Sequence, residues 1–204
     1  MISEVKKIFL TIALIGLLCG CSLKGGQTQA GSTEAVADSL AEMTVKYATG
    51  FSVKDTAGIR LVDVGEKYHF ALVQDAAAEA PEGYTKILVP IERTICMTAL
   101  QLSNFTILDA HDVVKGITGT KNLFNEDILA RVKDGRIVKI GMEGNFDTEM
   151  VLAANPQIIF ISPSKRGGYD AIKETGITLV PHLGYQEVNP LGQAEWIKFV
   201  GMFI

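Results

Sequence analysis

Residues 137–162 read IVKIGMEGNFDTEMVLAANPQIIFIS, and the order of apolar runs and turn residues in this stretch decides the fold. Ile137 to Ile140 is an apolar run of strand length, closed by Gly141. Asp147 is a good N-cap, and the segment from Asp147 to Ala154 has helical spacing. Gln157 to Ser162 is a second run, in which Ile158, Ile159, Phe160 and Ile161 follow one another without a polar break. An unbroken run of that length suits a strand covered on both faces.

The same unit recurs on either side. Short apolar runs lie at Ile87 to Val89, Val113 to Ile117 and Ile177 to Val180. Helical spacing fills about Arg93 to Leu102, Asn125 to Val132 and Tyr169 to Thr175, with Asn125 as an N-cap and Gly176 as a C′ glycine. Strand and helix in alternation predict an α/β fold over residues 86–190, a parallel sheet flanked by helices. Before it, residues 51–85 predict a β-hairpin and a loop. Ile59 to Val64 alternates, Tyr68 to Val73 is β-prone, and Gly65-Glu66-Lys67 joins them. After it, residues 191–204 read as a helix still apolar at Ile204, and the chain looks interrupted there. Exposure of Trp196, Phe199 and Phe203 would favour a remnant of a larger protein, because a helix made to span two lobes leaves one face uncovered.

The first twenty residues carry the parts of a secretory signal. Lys6 and Lys7 form a basic start, and the apolar run from Ile8 to Leu18 is too short to span a bilayer, which takes about 20 residues. Leu18-Cys19-Gly20-Cys21 resembles the lipobox of bacterial lipoproteins. On that reading residues 1–20 are a lipoprotein signal peptide, and the Cys21 thiol receives the lipid, since only a thiolate is nucleophilic enough at neutral pH. The competing reading is an ordinary signal anchor with an incidental cysteine. Each buried methylene contributes roughly 0.8 kcal/mol, so two or three acyl chains such as palmitate hold a domain at a membrane without a spanning helix. Residues 21–50 then form a lipidated flexible tether, its first part rich in Gly, Ser, Thr and Gln. The expected location is the cell envelope, facing the periplasm or the cell exterior.

Composition narrows the class. Apolar residues make up 48% of the 204, ordinary for a folded protein. The net charge of -4 comes from interspersed signs, with no basic patch for nucleic acid. Of the three cysteines, Cys19 leaves with the signal, Cys21 is acylated, and Cys96 is alone in an apolar run, so no intramolecular disulfide forms.

Three stretches then resemble a known family, the periplasmic solute-binding proteins of ABC importers for iron-siderophore, haem or cobalamin. The first is Lys86-Ile87-Leu88-Val89-Pro90-Ile91-Glu92-Arg93-Thr94. The second joins Val138 to Gly141, Asn145 to Glu149 and Leu152 to Phe160, with Gln157 where the family usually has Asp. The third, Asn189 to Phe199, is similar to a pattern of Bacteroidetes members at the start of the helix joining the two lobes. The resemblance implies one lobe of a two-lobed, helix-linked protein, with residues 191–204 as the start of a truncated interlobe helix. It also implies a metal-chelate ligand, an ABC permease as partner, and no enzymatic activity or cofactor.

Ligands of open parallel sheets lie beyond the carboxyl ends of the strands. That criterion selects Pro90 to Thr94, Thr118 to Lys121, Glu143 to Phe146, Pro163 to Tyr169 and His182 to Gln186. Within them Glu92, Arg93, Asn145, Lys165, Arg166, Tyr169 and Tyr185 are the candidate ligand residues. The cations would pair with carboxylates, and the tyrosines would offer flat faces or a phenolate. The bland alternatives are a solvated basic pair, tyrosines covering the core edge, and Arg93 paired with Glu92. Asp170 and Glu174 are the candidates for permease docking, which the resemblance places on this lobe's outer surface.

Three readings compete. A zinc or manganese binder would use His182 with Glu143 and Asp147, while His69 and His111 lie elsewhere. An enzyme lacks its usual signatures here, with no G-x-S-x-G, no H-E-x-x-H and glycines at 116 and 119 too sparse to cradle a phosphate. The third reading is a non-binding lipoprotein remnant of such a receptor.

Overall fold

The structure, a computed structural model, describes residues 43–121, 123–142, 145–163 and 169–204. The expectations for Cys21, Glu143, Lys165 and Arg166 lie outside the described residues.

Alternating residues first build a four-stranded sheet, β1 (Phe51–Thr56), β2 (Ile59–Val64), β3 (Tyr68–Val73) and β4 (Thr85–Leu88), in that order. The first three are antiparallel, and β4 runs parallel to β3. In β2, Arg60, Val62 and Val64 face the core, and Leu61 and Asp63 face outward, as a period of two requires. The expected hairpin is therefore part of a larger sheet, with β1 added on one side. The run at Ile87 is a correction: it pairs with β3 through Ile87↔Leu72 and does not join the parallel sheet. Val89 N–H extends that ladder to Val73 O, and Pro90 then ends it for want of a donor.

The second sheet is parallel throughout, in the order β11–β10–β5–β6–β7. Its strands are β5 (Thr94–Cys96), β6 (Val114–Ile117), β7 (Val138–Lys139), β10 (Ile158–Ile161) and β11 (Thr178–Pro181). A short pair, β8 (Gly141–Met142) and β9 (Asn145–Phe146), follows β7. Gly141 adopts φ 93°, and a Cβ there would stand 2.6 Å from Asn145 O, so this tight turn needs glycine.

Helices cover both faces of the parallel sheet. They are α1 (Ala99–Ile107), α2 (Glu126–Lys133), α3 (Thr148–Ala153), α4 (Asp170–Lys173) and α5 (Pro190–Gly201). On one face Cys96, Ile158 and Phe160 pack with Phe105 of α1, Ile128 of α2 and the aromatic residues of α5. On the other, Ile95, Ile159 and Ile161 pack with Val151 of α3 and Ile172 of α4. The helix expected from Arg93 is a second correction. Residues 94–96 are strand, and α1 begins after Thr98, which caps it reciprocally with Gln101.

A bare face on the final helix, which would have favoured the remnant reading, is not found. Trp196, Phe199 and Phe203 are fully buried. Phe51 meets Trp196 at 4.8 Å between ring centroids, and Phe160 meets Phe203 at 5.4 Å. α5 thus lies between the two sheets and joins them in one core. Its carboxyl end reaches the amino edge of the parallel sheet, where Ile91 N–H donates to Phe203 O at 2.7 Å.

Candidate functional site

Chain order sets the site. β5 is central, the chain then builds outward through β6 to β7, and it returns to add β10 and β11 on the other side. The direction of winding reverses between β5 and β10, and the crevice beyond their carboxyl ends is where such sheets hold ligands.

Buried polar side chains brace that crevice. Gln101 Oε1 accepts the N–H groups of Met97 at 2.8 Å and Thr98 at 3.1 Å, while its Nε2 donates to Ser162 Oγ at 3.2 Å. The loop after β5 is thereby tied to the loop after β10. Thr118 Oγ1 donates to Met97 O at 3.1 Å and ties in the loop after β6. The Tyr169 hydroxyl lies 3.3 Å from Ser162 N and 3.4 Å from Ser162 O, and the tyrosine ring stacks on Phe146 at 5.5 Å. Gln101 and Ser162 are almost completely buried, so the bond between them forms where no water competes.

Beside the brace, at the ends of β5 and β6, lies a pocket of about 320 Å³. Cys96, Leu102 and Ile117 form its inner wall, and Thr98, Ala99, Thr118, Gly119, Thr120, Lys121, Leu123 and Met142 complete it. Burial pushes the Cys96 thiol pKa far up and keeps it protonated. A second, more polar groove of about 470 Å³ lies between the β2–β3 turn at Gly65 to Lys67 and Pro163, Leu183 and Gln186.

The sequence-derived residues divide between two edges. Asn145, Tyr169 and Tyr185 lie on the loops beyond the carboxyl ends, but Glu92 and Arg93 do not, which is a further correction. They precede β5 at the amino edge, where Gln157 Oε1 accepts both of their N–H groups and Arg93 Nε donates to Asn155 O at 2.8 Å. Arg93 also sits 3.4 Å from Glu92, the pairing read as its bland alternative. Tyr169 is buried with its hydroxyl turned onto Ser162, so it covers the core edge. Asn145 is exposed on β9, and the Tyr185 hydroxyl accepts from Gln186 Nε2 at 2.9 Å in a short 3-10 turn. Asp170 and Glu174 are exposed on and just after α4, Asp170 bonded to Lys173 at 3.1 Å. Thr98, Gln101 and Ser162 were missed, although the T-x-x-Q spacing of a capping box marks the helix start at Thr98.

His182 points inward. Its ring sits 4.7 Å from Trp196, with Nε2 3.1 Å from Asn104 Nδ2, and burial pushes its pKa down to about 4. Among the described residues no three His, Cys, Asp or Glu side chains converge on a point that could hold a metal ion. No helix among them is long and apolar enough to cross a membrane.

No family model matches the chain. The uncharacterized lipoprotein MJ0878 of Methanocaldococcus jannaschii is 33% identical over 134 residues, 60% of this chain and 31% of that one. A second uncharacterized lipoprotein of the same organism, MJ0872, is 28% identical across 97% of this chain and 56% of its own length. The chain thus spans about a third to a half of these curated relatives. Similar solved structures are periplasmic binding proteins. The petrobactin-binding protein YclQ of Bacillus subtilis aligns at TM-score 0.42 and 19% identity, over 57% of this chain and 40% of that one. A periplasmic heme binding protein of Pseudomonas aeruginosa aligns at 0.39 and 14%, over 54% and 39%. The periplasmic vitamin B12 binding protein BtuF of Vibrio cholerae aligns at 0.37 and 13%, over 54% and 47%.

Proposed function

We propose that this chain is the ligand-holding lobe of a membrane-anchored solute-binding protein of an ABC importer, with a metal chelate (ferric siderophore, haem or cobalamin) as its ligand. The observation that carries the reading is the braced carboxyl edge. Five parallel strands end on one side, three of their loops are tied by Gln101, Ser162 and Thr118, and a pocket opens there. Loops tied by buried hydrogen bonds form a site ready before the ligand arrives. The motif resemblance supplies the ligand class. Lipoprotein relatives support lipid attachment at Cys21 and a place in the cell envelope. Asp170 and Glu174, exposed near α4, are the surface offered to a permease.

The test is titration of the full chain in detergent with haemin, cyanocobalamin and a set of ferric siderophores, followed by Trp196 fluorescence and calorimetry. Saturation by one of them, one per chain at micromolar concentration, is expected. Arg93→Gln, at the opposite edge, should leave that affinity unchanged. Absence of saturable binding by every chelate would overturn the ligand assignment. For the anchor, metabolic labelling with palmitate should mark the wild type and miss Cys21→Ser.

A further inference from the structure

The pocket at the ends of β5 and β6 is divided chemically. Leu102, Ile117 and the protonated Cys96 thiol make its inner wall apolar. Its rim carries the Thr98, Thr118 and Thr120 hydroxyls and the exposed ammonium of Lys121, and among the described residues that line it there is no carboxylate. The Thr118 hydroxyl proton is committed to Met97 O. The Thr98 oxygen accepts from Gln101 N–H at 3.4 Å, which leaves its own proton to donate outward.

Size and charge define what fits. Pockets for whole ligands run to about 300–1,000 Å³, so about 320 Å³ suits one limb of a metal chelate better than the whole. One ammonium matches a singly charged oxyanion, and a doubly charged phosphate would stay half compensated. We infer that this pocket receives an apolar limb of the ligand ending in a single carboxylate, paired with Lys121 and the Thr98 hydroxyl. The metal-bearing body then stays outside the pocket. The inference rests on the function proposed above and names the ligand group its pocket selects.

The test uses two probes of one shape and different charge, 2-naphthoate and 2-naphthamide, on the full chain in detergent. Binding is read by the methyl NMR signals of Met142, which lines the pocket, and of Met202, buried in the core at the end of α5. Naphthoate should saturate, shift Met142 and leave Met202 in place, and naphthamide should bind about fivefold more weakly or worse. Lys121→Gln, a change at an exposed side chain, should erase that preference, and Lys121→Arg should keep it. Ala99→Trp, at an exposed position on the pocket wall, should block both probes. Equal affinity for acid and amide, a preference surviving in Lys121→Gln, or a shift at Met202 without one at Met142 would overturn the inference. A chelate that binds wild type and Ala99→Trp equally would overturn it too, while leaving the functional reading in place. Naphthoate binding as expected with no chelate bound would uphold the pocket and overturn the functional reading.

Discussion

The Glu195 carboxylate accepts the backbone N–H of Ala48 at 2.9 Å, although 147 positions separate the two residues in sequence. The same carboxylate accepts from Lys46 and Tyr47, and Glu187 accepts from Thr49 and Gly50 at 2.9 Å each. With Lys198 Nζ bonded to Thr44 O at 2.8 Å, the segment from 44 to 50 lies strapped along α5. Glu195 is almost fully buried, and removing it strands three N–H groups. Glu195→Ala should cost about 3 kcal/mol in urea unfolding and speed hydrogen exchange at residues 46–48.

Acid should weaken the fold in two steps. Burial drives the His182 pKa down to about 4. The unfolded chain takes up that proton near pH 6.5 and the folded chain does not, so stability falls with pH between about 6.5 and 4. From pH 7 to pH 5 the loss should be about 2 kcal/mol. Burial would raise the Glu195 carboxyl, but the Lys198 ammonium and the three backbone N–H groups outweigh it and hold the pKa at about 2. Its contribution is present above about pH 4.3 and fades as pH falls toward 2. Unfolding midpoints against pH should show both slopes, and His182→Asn should flatten the first.

Gly192 is a helix residue for which alanine should fail. Alanine there would ordinarily gain about 1 kcal/mol of helix propensity. A Cβ at this position would stand 2.8 Å from Tyr47 O and 3.0 Å from Glu187 Oε2. Gly192→Ala should therefore lower the thermal midpoint by pushing the strap away, and a rise in the midpoint would mean that the strap yields freely.

Gln101→Leu should cost roughly 2 kcal/mol, since it orphans the Thr98 N–H and the Ser162 hydroxyl and leaves the Met97 N–H only its bond to Phe160 O at 3.2 Å. Ser162→Ala removes one partner of the same brace and should cost less. Chemical denaturation of both variants checks the order, and equal losses would show that the Ser162 link dominates.

The strands best read from sequence were those with continuous apolar runs and firm stops. Ile158 to Ile161 and Thr178 to Pro181 fall where the pattern put them, and Asn125 and Asp147 do cap their helices. The run at Ile87 was equally apolar but belongs to the other sheet, because the pattern records burial and not the partner. That one misplacement carried Arg93 to the wrong edge. The capping box at Thr98 and Gln101 was the local signal that could have corrected it.

By itself the sequence determined the class of fold, an N-terminal β unit followed by alternating strands and helices, because strand and helix periodicity and capping act over a few residues. Only the tertiary structure decided where β4 pairs, which loops Gln101 and Ser162 join, and that Trp196 and Phe203 are covered. It also decided that Glu187 and Glu195, unremarkable acidic residues near a helix start, hold the chain at residues 46–50. Those outcomes depend on which groups are desolvated together across fifteen positions of chain at β4 and more than sixty at the brace, and no local pattern records that.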